Sequence, residues 1–322
     1  MIQWKMLRRL IGIALVFTGL SGCASSSAAQ GSPLEPLPKN LQPRFGKSVV
    51  SSSELDADDK YLSTVRVEVS GWRVCSGVLV HPRLVLTAGH CVCSMRVATD
   101  SEGRGTTVND EVVEKIIDRS QCAQVATVRV FRYKPAKAFT SYAGAVRAHD
   151  ELKILYDDAE DELWSRADLA VILLDEAVKG IQPVAWSERK EEQVKSGENV
   201  VLVGYGRQIK EIASSGERRF GPNVVATRAN DGTRFLVGTR IETMDPYTPN
   251  EDVLGRAKAS YALPGDSGGP CLREREGTVR LIGIAKTDVG EGLKQFSEYT
   301  NVYAYREWLR SAITEAGKFK SR

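Results

Sequence analysis

Three short segments of the 322-residue chain carry side chains suited to cleaving an amide. Leu86-Thr87-Ala88-Gly89-His90-Cys91 ends an apolar run in a histidine beside a cysteine. Ala167-Asp168 places a carboxylate at the head of Leu169-Ala170-Val171-Ile172-Leu173-Leu174, and Leu263-Pro264-Gly265-Asp266-Ser267-Gly268-Gly269-Pro270 sets a serine in a glycine-rich loop. Hydrolysis through a serine hydroxyl requires a base for its proton, a group to orient that base, and donors for the oxyanion. Glycines let the loop turn sharply and aim its N–H groups at a substrate. Singly, each residue has a plainer reading: His90 as a core histidine, Asp168 as a strand-end turn residue, Ser267 as a serine in a tight turn. Their joint occurrence, in the order His, Asp, Ser, favours catalysis.

The elements around these segments read as short strands. Thr64 to Val69 alternates apolar and polar; Cys75 to Val80, Leu84 to Thr87, Val125 to Tyr133, Leu169 to Leu174, Asn199 to Tyr205, Arg234 to Ile241, Val279 to Ile284 and Tyr299 to Val302 follow. Such a series indicates an all-β barrel or sandwich. Tyr305, Trp308, Leu309, Ala312 and Ile313 form one apolar stripe at helical spacing, predicting a C-terminal helix that packs on the core. Ala143 to Leu163 is polar and reads as an insertion, helical in part.

The three segments resemble the His, Asp and Ser boxes of the chymotrypsin/trypsin family of serine proteases. The similarity extends to Cys75-Ser76-Gly77-Val78-Leu79-Val80, to the strand ending Gly204-Tyr205-Gly206, and to Tyr299-Thr300-Asn301-Val302 with Trp308 beyond. Gly265-Asp266-Ser267-Gly268-Gly269-Pro270 is the most specific of these motifs; the Asp box alone is weak. The resemblance implies two packed antiparallel six-stranded β-barrels with a C-terminal helix, and a triad in the cleft between them. Ser267 is then the nucleophile, His90 the general base and acid, and Asp168 the residue holding the imidazole tautomer. The N–H groups of Gly265 and Ser267 form the oxyanion hole, and no cofactor is needed. His81 and His149 receive no role. An acyl hydrolase of the α/β-hydrolase type is excluded, because there the serine precedes the histidine.

Six cysteines are present. A metal site at Cys91-Val92-Cys93 has an unusual spacing for zinc, and in an exported chain disulfides persist. Spacing alone leaves their pairing open. The family resemblance pairs Cys75 with Cys91, leaves Cys93 with Cys122 as a second bridge, and makes Cys271 a buried free thiol.

Two departures from the family carry expectations of their own. Family members mature by a cut that frees an apolar N-terminus to pair with the acid beside the nucleophile; Val49 and Asp266 fill those positions, although Ser51-Ser52 replaces the usual Gly-Gly. The family's substrate-side Ser-Trp-Gly becomes Lys286-Thr287-Asp288, so Lys286 is expected to pair with Asp168 or to point outward. Tyr261 takes the floor of the specificity pocket, which then lacks the acid that reads Lys or Arg. A preference for small or apolar side chains follows, with Asp288 adding an acid near the rim.

The N-terminus carries Lys5, Arg8 and Arg9 before an apolar run of eleven residues, Leu10 to Leu20, too short to span a bilayer but suited to an export signal. Leu20-Ser21-Gly22-Cys23 resembles the lipobox of bacterial lipoproteins, which would lipidate Cys23 and hold the protein at a membrane; cleavage further on, after Ala29, is the alternative. Ala24 rather than Asp after the cysteine implies the outer membrane of a Gram-negative cell. The reading is thus a signal over 1–22, a Ser/Ala/Pro-rich tether over 23–48, and a protease domain over 49–322. The net charge of +3 is that of the three basic residues in the leader, so no basic patch for nucleic acid remains. The protein is expected to be a monomeric endopeptidase acting on proteins or peptides. The alternative is a catalytically inactive binding module that kept the fold.

Overall fold

A computed structural model of the chain describes residues 53–69, 73–206, 216–238, 260–289 and 296–318. Six strands close a first barrel: β1 (Thr64–Val69), β2 (Arg73–His81), β3 (Leu84–Thr87), β4 (Val125–Arg132), β5 (Ala138–Ala148) and β6 (Ala170–Leu174). The pairing runs β5-β6-β3-β2-β1-β4 and returns to β5, antiparallel throughout. Alternation explains β1, where Val65 and Val67 face the core and Arg66 and Glu68 do not, while β3 is buried along its whole length.

A second barrel closes through β7 (Asn199–Gly204), β8 (Arg219–Arg228), β9 (Arg234–Val237), β10 (Pro270–Arg275), β11 (Thr278–Val289) and β12 (Phe296–Asn301). Here the order is β8-β7-β10-β11-β12-β9, and pairing of β8 with β9 completes the ring. The architecture is therefore the expected pair of six-stranded antiparallel barrels. The closing helix, α1 (Arg306–Lys318), crosses back from the second barrel to lie on β2 and β3 of the first, and Leu309, Ala312 and Ala316 join one core with residues of both barrels.

The segment from Ala143 to Leu163 differs from its reading as a partly helical insertion. Its first part belongs to β5, in which Tyr142, Gly144, Val146 and Ala148 turn inward. The period of two is muted because two inward residues are small and two outward ones are alanines. Gly144 is required, since a Cβ there would lie 2.7 Å from the Leu173 carbonyl oxygen. Beyond β5, strands Lys153–Tyr156 and Glu162–Arg166 join Lys115–Asp118 and Arg96–Val97 in a four-stranded side sheet. The Cys93–Cys122 disulfide closes the loop that leads into that sheet.

A buried charge cluster staples the leading segment to both barrels. Arg218 is 0% exposed and donates from Nε to Asp56 at 2.7 Å, from one terminal nitrogen to the Phe131 carbonyl at 2.9 Å, and from the other to Asp59 at 2.8 Å. Asp56, 1% exposed, also accepts the N–H groups of Lys60 and Tyr61. Removing one partner of such a pair strands the other without water. Arg218→Ala is therefore expected to lower the unfolding free energy in urea by about 3–5 kcal/mol, whereas Lys134→Ala, which breaks the exposed pair with Asp58, leaves the midpoint unchanged.

Candidate active site

The site is built where the first barrel meets the loop between 260 and β10. His90 lies in a single 3₁₀ turn, Gly89–Cys91, directly after β3. The Cys75–Cys91 disulfide ties that turn to β2. Asp168 stands at the centre of a three-residue turn before β6, closed by the Leu169 N–H donating to the Ala167 carbonyl at 2.7 Å. The turn puts Ala167 at φ +50°, a left-handed conformation costly for a residue with a Cβ. The Ala167 N–H donates to the Tyr305 hydroxyl at 3.0 Å, so the segment leading into α1 holds the turn in place.

Asp168 is 1% exposed and engages His90 twice. Its Oδ2 lies 2.7 Å from the imidazole Nδ1, and its Oδ1 accepts the His90 backbone N–H at 2.8 Å. Burial pushes this carboxyl upward, but the His90 ring, its two hydrogen bonds and the charge of Lys286 outweigh that and hold it below the usual carboxylate range. A carboxylate so fixed makes Nδ1 the protonated nitrogen and leaves Nε2 as the basic one. Gly89 eases this approach, since a Cβ there would come within 3.1 Å of Asp168 Oδ1 and force the end of the Leu152 side chain to move.

Ser267 is brought to the same place. The Cys91 sulfur lies 4.0 Å from His90 Nε2 and 3.5 Å from the Ser267 carbonyl oxygen. The Ser267 hydroxyl is 3.5 Å from the Lys286 carbonyl oxygen. Within the loop, the N–H groups of Asp266, Gly268 and Gly269 donate to the carbonyls of Leu263, Ala285 and Asp266. Those of Gly265 and Ser267 make no hydrogen bond among the described residues. Gly265 at φ +102° and Gly268 at φ +80° permit this path; a Cβ on Gly268 would meet Thr87 Oγ1 at 2.1 Å.

Ser76, which the sequence offered only as part of a Cys-containing strand, links the loop to both barrels. It is fully buried. Its N–H donates to the Ser267 carbonyl at 2.8 Å and its hydroxyl to the Gly265 carbonyl at 2.9 Å. The same hydroxyl accepts the Tyr205 N–H at 2.9 Å, and Thr87 donates to the Ser76 carbonyl. A lone polar residue inside the apolar run Cys75-Ser76-Gly77-Val78-Leu79-Val80 was the available signal.

The remaining residues are placed as follows. Asp266 accepts the N–H groups of Gly206 at 2.7 Å and Leu263 at 2.9 Å; burial pushes its carboxyl up to about 6 despite them. Val49 and Cys23 lie outside the described residues. Lys286 differs from its expectation, pairing with neither Asp168 nor solvent. A bulge in β11, where Ala285 faces Tyr299 and Thr287 faces Glu298, makes Lys286 an extra residue and re-aims it. Its ammonium bonds Glu162 and, at 2.8 Å, Glu298. Asp168, already committed to His90, offers less than two carboxylates, one of which, Glu298, also lies 3.5 Å from Arg234. Tyr261 is partly buried beside Ala262, whose N–H donates to the buried Ser297 hydroxyl at 2.8 Å. The Asp288 backbone belongs to β11, opposite Ser297. Cys271 is a buried free thiol that burial pushes far above the usual range. His149 packs against the rings of Tyr305 and Trp308. Among the described residues, the one cluster with metal-ligand types is Cys75, His90 and Cys91, whose sulfurs are bonded to each other.

A family model described as Trypsin matches residues 57–309. Phenoloxidase-activating factor 1 of Holotrichia diomphalia is 26% identical, over 90% of this chain and 80% of its own. CLIP domain-containing serine protease B9 of Anopheles gambiae is 25% identical, over 75% of this chain and 56% of its own. Vitamin K-dependent protein C of Rattus norvegicus is 23% identical, over 86% of this chain and 54% of its own, so the chain spans about half the length of these last two relatives. A model match of that extent, falling on two six-stranded barrels, makes this chain a member of the trypsin family.

Proposed function

We propose that the protein is an active serine endopeptidase, exported and lipid-anchored through Cys23. The observation that carries the activity is the double engagement of a buried, ionised Asp168 with His90, next to Ser267 in a loop where, among the described residues, the N–H groups of Gly265 and Ser267 have no partner. In this reading the Ser267 oxygen attacks a peptide carbonyl carbon while His90 Nε2 takes the hydroxyl proton. The oxyanion is held by the N–H groups of Gly265 and Ser267. The C–N bond breaks, the amine leaves with the proton from His90, and water then hydrolyses the acyl-serine ester by the reverse proton path. An inactive binding module has no need of this arrangement, and Lys286, which pairs with Glu162 and Glu298, leaves the Asp168–His90 contact unbroken. A fluorophosphonate probe is expected to label wild-type protein at Ser267 and not Ser267→Ala; an unlabelled, folded wild type would sink the enzyme reading.

The pocket reading keeps its preference for small or apolar side chains at the cut. Tyr261 offers no acid at the floor, and the next residue, Ala262, is buried with its N–H on the buried Ser297 hydroxyl. Cleavage of a peptide library is expected to favour such residues; dominant cutting after Lys or Arg overturns the assignment.

Maturation by a cut before Val49 is part of the proposal: the precursor is held by lipid on Cys23, and the cut releases the active domain from it. Glu54–Leu55 pairs with β8, and a Cβ on Gly221 would touch both Ser260 and Ser53, so the leading segment runs beside the chain that leads to Asp266. Without an ammonium partner, folded Asp266 keeps its proton up to about pH 6, whereas the unfolded chain releases it near its ordinary value. The folded state then binds more protons between about pH 4 and 6, and its stability falls as pH rises through that window. Denaturation of the full chain is expected to show this fall, absent in Asp266→Asn. A form beginning at Val49 is expected to lack it too, with higher turnover; full activity in protein still beginning at Cys23 argues against the cut.

A further inference from the structure

Lys286 has a side chain only 3% exposed, yet carries a charge that hydrolysis does not use. It arises from the bulge in β11, on backbone that supports the nucleophile loop: the Ala285 carbonyl accepts from Gly268 at 2.7 Å, and the Lys286 carbonyl lies 3.5 Å from the Ser267 hydroxyl. The ammonium reaches to Glu162 and Glu298. Glu162 opens the side-sheet strand that runs through Arg166 into the Ala167–Asp168 turn. Glu298 lies in β12 two residues before Thr300, whose hydroxyl is 3.5 Å from the Asp168 carbonyl oxygen. One cation thus joins two segments that flank the carboxylate to the strand beneath the serine.

Glu162 faces Lys286 from the side sheet and Glu298 from β12; Arg234 of β9 lies 3.5 Å from Glu298; Asp168 and His90 occupy the turn beyond. Burial works against the lysine charge, but the two carboxylates outweigh it and hold the ammonium protonated above its ordinary range. That charge is in turn one of the influences keeping Asp168 low.

We propose that Lys286 is a positioning residue: clamped by Glu162 and Glu298, it fixes the Asp168 turn against the loop that carries Ser267 and sets a positive charge within electrostatic reach of the His90–Asp168 pair. The proposal rests on the catalytic reading of that pair, but its test does not need turnover. The proton between His90 Nδ1 and Asp168 is followed by NMR across pH, with fluorophosphonate labelling of Ser267 measured in parallel.

Lys286→Met removes a positive charge beside Asp168, so the titration of the pair is expected to move to higher pH by about 0.5 unit or more, a roughly threefold change in proton affinity. Glu162→Gln removes a negative charge and leaves the lysine in place, so the titration moves to lower pH. A merely structural salt bridge would lower stability in both variants with no shift, or with shifts of one sign; either result overturns the proposal. Where Lys286→Met does not fold, the partly exposed Glu162→Gln carries the sign test, and an unmoved or upward titration there refutes the role. Opposite shifts in a wild-type background that resists the probe would sink the hydrolase reading and leave the positioning role standing.

Discussion

The structure around the site depends on keeping one carboxylate ionised out of water. An uncompensated charge at the position of Asp168 would cost on the order of several kcal/mol, so the surroundings must repay it in hydrogen bonds and opposing charge. His90 supplies two hydrogen bonds, through its ring and its backbone N–H. This double contact brings the 3₁₀ turn close, and the missing side chain at Gly89 keeps Leu152 and Asp168 from being pushed aside. The same contact requires the chain to kink at Ala167, and the Tyr305 hydroxyl takes the N–H that the kink exposes. Glycine, kink and tyrosine are consequences of a single buried charge.

The second demand is that two independently closed barrels meet in register. Each barrel satisfies its own backbone through its ladder, so the seam must be specified by the few polar groups left over. Ser76 is one of them, spending its N–H and hydroxyl on the loop that carries Ser267 while receiving the Tyr205 N–H. Arg218 is another, joining the leading segment, the end of β4 and the start of β8 and reaching the Tyr205 hydroxyl. One apolar core, from Val65 to Ala316 along the chain, draws on both barrels.

Much of this was legible in the residues. Strands such as β1 and β3 were read with their observed bounds, because alternation in one and continuous apolarity in the other left no competing pattern. The His, Asp and Ser boxes stood out because glycines and chemically active side chains cluster there. What escaped was of another kind. β5 was hidden by its own composition, with glycine and alanine facing inward where a period-two signal needs bulk. The partners of Lys286 were hidden by distance along the chain, since Glu162 lies 124 residues away and the bulge that re-aims the lysine leaves no mark in residue types. Ser76 and Tyr305 were visible as a strand residue and a helix-stripe residue, but their hydrogen bonds belong to the folded shape alone.

The contact between Tyr305 and Ala167 ties the far end of the polypeptide to its chemistry. The phenol stands just ahead of α1, and α1 is held by Leu309, Ala312 and Ala316 against the first barrel. Clipping that closing helix would leave His90, Asp168 and Ser267 all present and both disulfides unbroken. It would nonetheless withdraw the latch that keeps a strained alanine in place, so damage to that helix would be felt first at Asp168.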